Sequence, residues 1–488
     1  MHRWQHHGSS SLPIRTILFF SFLLFSVITN AQFINLPNPG FYWTKKSLDK
    51  KIQKFITKNK INPSNLSFAI ESKNPIESFS INHNAEKYFT PASLNKIVIA
   101  LAALDEWGIK KKFTSSLLKK KSSNIIKNQL NGSLYFNGGG DPAFVSESMW
   151  NLVRIFSHSN IITIKGDLVI FKKFFKYNIK KDNKRPRGDR AYEALISPSS
   201  FNWNSLSLKV RASSAGRKAN IIIDPYKTKF LKIRNNIQSV AGKRSNIHIK
   251  RLIKNKKNIL ILSGVIGTKS KDFIAYKNIS NPELWLGSYL RIFLKKQGIS
   301  IKGKIKIKNF NNTDLYKYKK IAEVKSKPLP LLISDMLKFS NNYITDMLSS
   351  QFSNYNLRIK KTFQKIGRGD QSIYFFNPSG LSRKNKLKAS TILKLLKYIK
   401  NHKYSPELLS AFSLAGVDGT LKSYNFVKPN QSIRGKTGLL NAVVAFSGFV
   451  KAGKKEELLV TWIFNGKAKD TLKALSWRRK FLKLLLNK

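Results

Sequence analysis

TPASLNKIVIALAAL, at residues 90–104, predicts a buried helix with a serine and a lysine at its start. Its first two residues suit the cap and the first position of a helix, because threonine caps helices and proline tolerates the first turn. The last eight residues are apolar, which predicts burial. Ser93 and Lys96 stand three residues apart and therefore share one face. A lysine in such a place loses hydration, so its pKa falls towards a value that suits a base.

Two further short motifs follow in order, Ser340-Asn341-Asn342 and Lys436-Thr437-Gly438. None of the motifs is specific alone, because the S-x-x-K pattern of Ser93 also occurs at 47–50 and at 116–119 in this lysine-rich chain. The copy at 116–119 lies among further lysines and is expected to be solvated surface. Residue types alone leave an ordinary helix start as the alternative for Ser93 and Lys96.

The Lys436-Thr437-Gly438 motif follows Gly435 and so resembles the end of a phosphate-binding loop. Such a loop requires a glycine at position 430, but this chain has Asn430 there. It also requires a helix after the motif, whereas the apolar run at 442–446 predicts a strand. A basic residue on an edge strand, beside a glycine that lets another backbone approach, fits peptide binding better.

Other catalytic schemes find little support in the sequence. The chain has no cysteine, which excludes a thiol nucleophile and a cysteine-ligated metal. It also has no G-x-S-x-G or H-E-x-x-H motif, and the four histidines beyond its N-terminal segment, at 83, 158, 248 and 402, lie far apart. We therefore expect neither a metal nor a cofactor.

The hydrophobic periodicity divides the chain into regions. Short runs rich in isoleucine and valine predict strands from about 117 to 324, and helical spacing returns from 329 to about 399. The simplest architecture is an α/β domain interrupted by a large β-rich insertion. The predicted parts are a signal peptide at 1–31, the first part of the domain at 32–116, the insertion at 117–324 and the second part of the domain at 325–488.

Individual elements are predicted throughout these regions. Helices are expected at 45–58, 91–107 and 470–486, and strands at 66–70, 442–450 and 457–464. Within the insertion, strands are expected at 133–136, 166–171, 205–210, 219–223, 258–265 and 299–307.

The N-terminus has the features of a secretory signal. Arg3 and Arg15 precede an apolar run from Ile17 to Ile28, and Ala31 ends a group of small residues that suits cleavage. The run is shorter than the roughly 20 residues that span a bilayer as a helix. These features predict an exported, periplasmic protein.

The charge balance is strongly positive, with 89 Lys and Arg against 25 Asp and Glu, a net charge of +64. One interpretation is attraction to an anionic polymer or a membrane surface. The other is compositional drift, because lysine, asparagine and isoleucine are enriched everywhere in the chain. The signal peptide argues against nucleic acid as a specific partner.

Longer motifs resemble the class C penicillin-binding proteins of the D-alanyl-D-alanine carboxypeptidase/endopeptidase type. Residues 138–142 are similar to the family's G-G-G-D-P, residues 379–385 to its S-G-L-S-R-x-N, and residues 415–421 to its A-G-x-D-G-T-L. The likeness runs from about 41 to 485, and the long interval between Ser93 and Ser340 is typical of this branch. It implies a penicillin-binding/serine β-lactamase-like transpeptidase domain, α/β (α+β) in class, with a large β-rich insertion.

The resemblance also implies roles for the three short motifs. Ser93 would attack the carbonyl between two D-alanines while Lys96 takes its proton. Ser340 and Lys436 would pass a proton to the leaving amine, and Asn342 would hold the substrate amide. An acyl-enzyme would form and be hydrolysed by water, and β-lactams would be trapped on the same serine.

Substrate binding is assigned by the same resemblance to Thr437, Gly438 and Leu439, with the N–H groups of Ser93 and Leu439 as the oxyanion hole. The family often has threonine or serine at the position of Leu439. The absence of that hydroxyl group here favours endopeptidase over carboxypeptidase action. A second departure is Asn377, where the family has an acid. The alternatives are a non-catalytic peptidoglycan-binding protein on the same fold and a β-lactamase or esterase.

Overall fold

The computed structural model describes residues 42–74, 77–175, 177, 188–254, 257–369, 375–452 and 456–486. The predicted signal peptide at 1–31 lies outside these residues. Within them, no helix has both the length and the apolar character that crossing a membrane requires.

The helices of the described chain fall mostly outside the predicted insertion. Their bounds are α1 Lys45–Lys58, α2 Asn95–Trp107, α3 Ser146–Ser157, α4 Pro282–Lys296, α5 Leu329–Lys338, α6 Asn342–Ser350, α7 Tyr355–Gln364, α8 Ala389–Lys400, α9 Ser405–Ala411 and α10 Thr471–Leu486.

Most of the strands are short, as their isoleucine- and valine-rich runs predict. Their bounds are β1 Leu66–Lys73, β2 Ser78–His83, β3 Tyr88–Phe89, β4 Thr114–Lys120, β5 Asn124–Ile126, β6 Gln129–Asn131, β7 Leu134–Asn137, β8 Thr163–Ile164, β9 Leu168–Lys172, β10 Ser205–Arg211, β11 Asn220–Asp224, β12 Leu231–Val240, β13 Ser245–Lys254, β14 Lys257–Gly267, β15 Phe273–Asn278, β16 Ser300–Ile301, β17 Ile305–Asn309, β18 Tyr318–Lys325, β19 Leu387–Lys388, β20 Ser413–Leu414, β21 Ser432–Leu440, β22 Val443–Lys451 and β23 Glu457–Asn465.

A six-stranded antiparallel sheet forms the centre of the fold, in the order β2-β1-β23-β22-β21-β20. Helices cover both of its faces. One hydrophobic cluster joins α1 and α10 to the sheet, and another joins α2, α5 and α8 to its opposite face. Because both faces are covered, β22 and β23 are apolar at nearly every position rather than at alternate ones. The fold is mixed α/β, as predicted.

The closing helix α10 confirms the helix predicted at 470–486, and it packs on the central sheet. Phe481 lies with its ring centroid 6.0 Å from that of Phe68 and 6.2 Å from that of Trp462. Arg478 of this helix is buried and donates to the carbonyl oxygen of Ala445. The apolar side of α10 is therefore occupied by the sheet.

Residues 114–325 build further sheets, in the orders β17-β9-β7-β4-β18, β16-β8-β6-β5, β11-β10-β15 and β12-β14-β13. The first and last strands of this region pair Thr114 with Lys325. The predicted division of the chain at 117–324 stays a prediction. The region also contains α3 and α4, which the strand-like runs around them did not reveal.

One predicted strand is wrong in its extent. The run at 299–307 is two strands, β16 and β17, separated at Gly303. A β-carbon at Gly303 would lie 2.5 Å from the carbonyl oxygen of Gly166, so the backbones approach closely there. The chain changes sheets at this contact, because β16 pairs with β8 and β17 pairs with β9.

Candidate active site

The segment that carries Ser93 begins with a 3₁₀ turn, Ala92–Leu94, and continues as α2. The expectation that Thr90 caps the helix is wrong: its Oγ1 accepts from Lys386 Nζ at 3.0 Å, and the 3₁₀ turn has no side-chain cap. Ala92 has a φ of +49°. The chain therefore turns sharply just before Ser93 and presents it, half-buried, ahead of a helix whose first ten residues are buried.

A glycine of the 379–385 motif fits against this turn. Gly380 has a φ of +85°, and a β-carbon there would lie 2.0 Å from the carbonyl oxygen of Ala92. Any side chain at this position would push the loop away from Ser93. The need for glycine here is both conformational and steric.

Lys96 is fully buried and its ammonium has three hydrogen-bond partners. Nζ donates to Ser93 Oγ at 2.9 Å, to Asn342 Oδ1 at 2.8 Å and to the carbonyl oxygen of Ser379 at 2.7 Å. Burial lowers the pKa of Lys96 to about 7, against an opposing effect of Asp346. The predicted proximity of Ser93 and Lys96 on one face is confirmed by this contact.

The second motif lies at the start of α6. Ser340 has a φ of +54°, and Asn341 caps the helix by accepting from the N–H of Ile344 at 3.1 Å. Ser340 Oγ accepts from Lys436 Nζ at 2.8 Å, and Asn342 Oδ1 accepts from Lys96. The S-x-N motif thus contacts both buried lysines.

Lys436 is the second fully buried lysine of the site and lies on β21. Besides Ser340 its ammonium donates to the carbonyl oxygen of Thr437 at 2.6 Å. Burial, and then the positive charges of Lys96 and Arg478, hold the pKa of Lys436 well below its ordinary value. Two like charges in one buried site therefore each favour the loss of a proton from the other.

The strand β21 leaves part of one edge open. It pairs with β22 along its length, whereas β20 pairs only with Arg434 and Gly435. Within the described residues no strand covers that outer edge from Lys436 to Leu440. The interpretation of this motif as an edge strand is therefore confirmed for the part that follows Gly435.

The three residues predicted to bind substrate differ in their surroundings. Thr437 is buried and donates through Oγ1 to Thr420 Oγ1 at 2.8 Å. Gly438 faces the turn before Ser93, since a β-carbon there would lie 2.9 Å from the carbonyl oxygen of Pro91. Leu439 is 52% exposed. The structure packs Gly438 against the turn that precedes Ser93 and leaves Leu439 half exposed.

The loss of an acid at Asn377 leaves a hydrogen-bond acceptor in place. Its Oδ1 accepts from Ser379 Oγ at 2.9 Å and from the N–H groups of Gly380 and Leu381 at 3.1 Å. Asn377 is buried. The amide oxygen makes the contacts that hold the loop whose Ser379 carbonyl accepts from Lys96.

The G-G-G-D-P motif at 138–142 contacts the far end of α6. Gly140 donates through its N–H to the carbonyl oxygen of Pro198 at 3.2 Å and accepts from Gln351 Nε2 at 2.9 Å. A β-carbon at Gly139 would lie 1.8 Å from the carbonyl oxygen of Thr114. Close backbone packing, rather than chemistry, accounts for the glycines of this motif.

The competing S-x-x-K copy at 116–119 is not the solvated surface that its neighbouring lysines suggested. Ser116 and Lys119 are buried on β4, and Lys119 Nζ donates to the carbonyl oxygen of Ser123 at 2.6 Å. Residues three apart in a strand point to opposite faces. This pair therefore does not reproduce the contact of Ser93 with Lys96.

Three partners of the site were missed in the sequence: the carbonyl oxygens of Ser379 and Tyr192, and the carboxylate of Asp346. Two of them are backbone groups, which carry no residue signature. Asp346 stands four residues after Asn342, a spacing that places both on one face of α6. That spacing was the available signal.

Comparison with known proteins gives a consistent result. The D-Ala-D-Ala carboxypeptidase 3 (S13) family model matches residues 48–485. The D-alanyl-D-alanine carboxypeptidase DacB of Haemophilus influenzae is 23% identical over 421 residues, which cover 81% of this chain and 85% of that protein. A D-alanyl-D-alanine carboxypeptidase of an Actinomadura species is 22% identical over 400 residues, which cover 77% of this chain and 73% of that protein.

The fold matches a solved structure as well. The crystal structure of penicillin-binding protein 4 from H. influenzae superposes with a TM-score of 0.71 at 23% identity, covering 89% of this chain and 98% of that one. A second structure of that protein, complexed with a β-lactam, gives a TM-score of 0.67 at 22% identity over the same shares of both chains. These likenesses show the fold.

Proposed function

The chain belongs to the D-Ala-D-Ala carboxypeptidase 3 (S13) family, and from this membership we propose that it hydrolyses D-Ala-D-Ala peptides of peptidoglycan through an acyl-enzyme on Ser93. It is a class C, penicillin-binding serine peptidase. The choice of Ser93 is supported by the distance of 2.9 Å between its Oγ and the buried ammonium of Lys96.

Acylation begins with the transfer of the Ser93 hydroxyl proton to neutral Lys96. The serine oxygen bonds to the carbonyl carbon between the two D-alanines, and the carbonyl electrons move to its oxygen. The N–H groups of Ser93 and Leu439 are the proposed donors to that oxyanion. A base with a pKa of about 7 is half neutral at neutral pH, so the burial of Lys96 supports this role.

Departure of the terminal D-alanine requires a proton on its amine nitrogen. Ser340 Oγ, which accepts from Lys436 Nζ at 2.8 Å, is the proposed donor, and Lys436 replaces its proton. Asn342 is proposed to hold the substrate amide while its Oδ1 contacts Lys96. As water attacks the acyl carbon, one of its protons passes to neutral Lys436 through Ser340, the ester bond to Ser93 breaks, and the proton held by Lys96 returns to the serine oxygen.

The test is release of D-alanine from a pentapeptide that ends in D-Ala-D-Ala. We expect turnover that stops when one equivalent of benzylpenicillin has acylated the protein. A folded protein that neither releases D-alanine nor cleaves cross-linked dimers would contradict the proposal.

Leu439 bears on the choice between carboxypeptidase and endopeptidase action. Its side chain is 52% exposed at the open edge of β21, where a threonine hydroxyl would be available to a terminal carboxylate. We propose that leucine there favours cross-linked dimers, in which the scissile amide leads to the acceptor peptide and not to a terminal D-alanine, over free pentapeptides.

Leu439→Thr is expected to raise D-alanine release from pentapeptide relative to dimer cleavage, by about tenfold for one hydrogen bond to a charged group. The measurement is the ratio of the two products from purified wall fragments. Leu439→Val, which shortens the side chain without adding a hydroxyl, serves as the matched control. An unchanged ratio in the threonine variant would show that this position does not set specificity.

We propose that the chain is exported by the signal peptide predicted at 1–31 and that its positive charge contacts an anionic polymer. One sheet carries basic charge without acidic residues beside it in the sequence, because residues 225–271 contain 13 of the 89 Lys and Arg and no aspartate or glutamate. On its exposed face Arg234 of β12 and Lys250 of β13 flank Ile261 of β14, and Lys232 lies beside Ile259. We propose that this face attracts anionic wall polymer outside the cytoplasm.

Binding to whole peptidoglycan is expected to fall steeply as salt rises, because screening shortens to about 8 Å at physiological ionic strength. Turnover of a small neutral peptide should change much less. Neutralising Lys232, Arg234 and Lys250 to glutamine should weaken wall sedimentation more than the same change at Lys46, Lys50 and Lys54, exposed residues on or near α1. Equal losses of wall binding in the two triple variants would assign the attraction to the net charge of the whole protein. Wall binding that does not depend on salt would indicate that the positive charge is compositional drift.

A further inference from the structure

A turn from the region between β9 and β10 reaches the S-x-N motif. The turn is the 3₁₀ segment Ala191–Glu193, and the carbonyl oxygen of Tyr192 accepts from Asn342 Nδ2 at 3.2 Å. The other end of the same amide, Oδ1, accepts from Lys96 Nζ at 2.8 Å. The Asn342 amide is therefore fixed by partners at both ends, one in the peptidase core and one in the inserted sequence.

The turn is held from the side of β15 by the buried Asn278. Its Nδ2 donates to the carbonyl oxygens of Gly188 at 2.9 Å and of Arg190 at 3.0 Å. Its N–H donates to the carbonyl oxygen of Asp189 at 2.9 Å. Three consecutive residues before the turn are thus tied to one asparagine.

A second buried asparagine holds the turn from the other side. Asn204 Nδ2 donates to the carbonyl oxygen of Leu195 at 2.7 Å and contacts Tyr343 Oη at 3.3 Å. Tyr343 Oη also donates to Ser200 Oγ. Because Tyr343 follows Asn342 in α6, this cluster joins the segment around the turn to the helix that carries the S-x-N motif.

We propose that the Ala191–Glu193 turn is a positioning element that sets the Asn342 amide with its oxygen towards Lys96, so that the peptidase site is complete only with the inserted sequence in place. This proposal rests on the proposed function of Ser93 and Lys96. Without the Tyr192 carbonyl the amide is free to rotate. Rotation presents its NH₂ group to the ammonium and removes an acceptor from Lys96.

Loss of this acceptor has a predictable effect on the lysine. A hydrogen bond to the charged form favours that form, so removing it lowers the pKa of Lys96 further below its value of about 7. Of the charged groups around it, Asp346 favours the ammonium of Lys96, and the charge of Lys96 lowers the pKa of the neighbouring Lys436. Both remain in place when the turn is disturbed, so the pH dependence of acylation reports on Asn342.

The experiment compares two variants at one position. Tyr192→Pro disfavours the helical conformation of Ala191, because the residue before proline is pushed out of the α region, and so displaces the carbonyl. Tyr192→Ala removes only the side chain and keeps the carbonyl. We expect the proline variant to be acylated by a fluorescent penicillin about tenfold more slowly, which corresponds to the loss of one hydrogen bond. The acid limb of its pH–rate profile should lie at lower pH than that of the wild-type protein. The alanine variant should lose much less.

Asn278→Ala provides a second way to loosen the turn, and it is expected to give the same slowing and the same displaced acid limb. Asn235→Ala is the matched control, because Asn235 also donates to a carbonyl oxygen, that of Ala219 at 2.7 Å, but lies on β12, which belongs to a different sheet from β15. It should be acylated at the wild-type rate. Thermal unfolding of all four variants checks that they are folded.

Wild-type rates in both Tyr192→Pro and Asn278→Ala, or slower acylation with an unmoved acid limb, would overturn the proposal, since a merely structural role changes the amount of active protein alone. Failure of the proposed function is a different result, because the wild-type protein would then form no penicillin adduct at all.

Discussion

Replacing Ser93 by alanine is expected to abolish covalent labelling by penicillin, with a loss of turnover of about 10⁶-fold, as when a serine hydrolase loses its nucleophile. The reason is chemical: alanine has no oxygen to bond to the carbonyl carbon. Ser93 is half-buried on a 3₁₀ turn, so removal of one hydroxyl leaves the packing of α2 intact. Fluorescent penicillin followed by denaturing electrophoresis measures the effect.

Ser116→Ala is the matched control for that experiment. Ser116 belongs to the competing S-x-x-K copy and is buried on β4. Its variant should be labelled at the wild-type rate. Labelling of the Ser93 variant at the same rate as the wild-type protein would remove Ser93 from the mechanism.

Substitution of Lys96 by methionine is expected to slow acylation by about 10²–10⁴-fold, the usual contribution of a general base. The wild-type rate should rise with pH through about 7, because burial lowers the pKa of Lys96 to that value and only the neutral amine accepts the serine proton. The methionine variant should lose this acid limb. Stopped-flow acylation between pH 5 and 9 measures both effects.

Lys119→Met is the control, since Lys119 is also a buried lysine three residues after a serine, but its ammonium donates to the carbonyl oxygens of Lys120 and Ser123. It should keep the wild-type rate and the wild-type acid limb. A Lys96 variant with an intact acid limb near pH 7 would assign the base to another group, and Lys436 is the next to test.

The site was largely predictable because its side chains come from motifs whose order along the chain could be recognised. Ser93 and Lys96 lie three residues apart, so local helical geometry alone brought them together. Ser340 and Lys436 meet across 96 residues of sequence, and their contact depended on the family likeness. Residue spacing alone does not predict a contact between residues so far apart in the sequence.

The fold was less predictable where backbone rather than side chains decides the structure. The 3₁₀ turn before α2 begins at Ala92, which has a positive φ. Alanine gives no signal for this conformation in the sequence. The break between β16 and β17 depends on the approach of Gly303 to Gly166 in another strand. The Tyr192 carbonyl, which contacts Asn342 from 150 residues away, is invisible to any side-chain pattern.

The most direct test of the account is to locate the penicillin adduct on the wild-type protein by mass spectrometry of its proteolytic peptides. We expect a single adduct, with the mass of the intact opened β-lactam, on the peptide that contains Ser93. An adduct on Ser340 or another residue, or a folded protein that carries none after prolonged incubation, would contradict it.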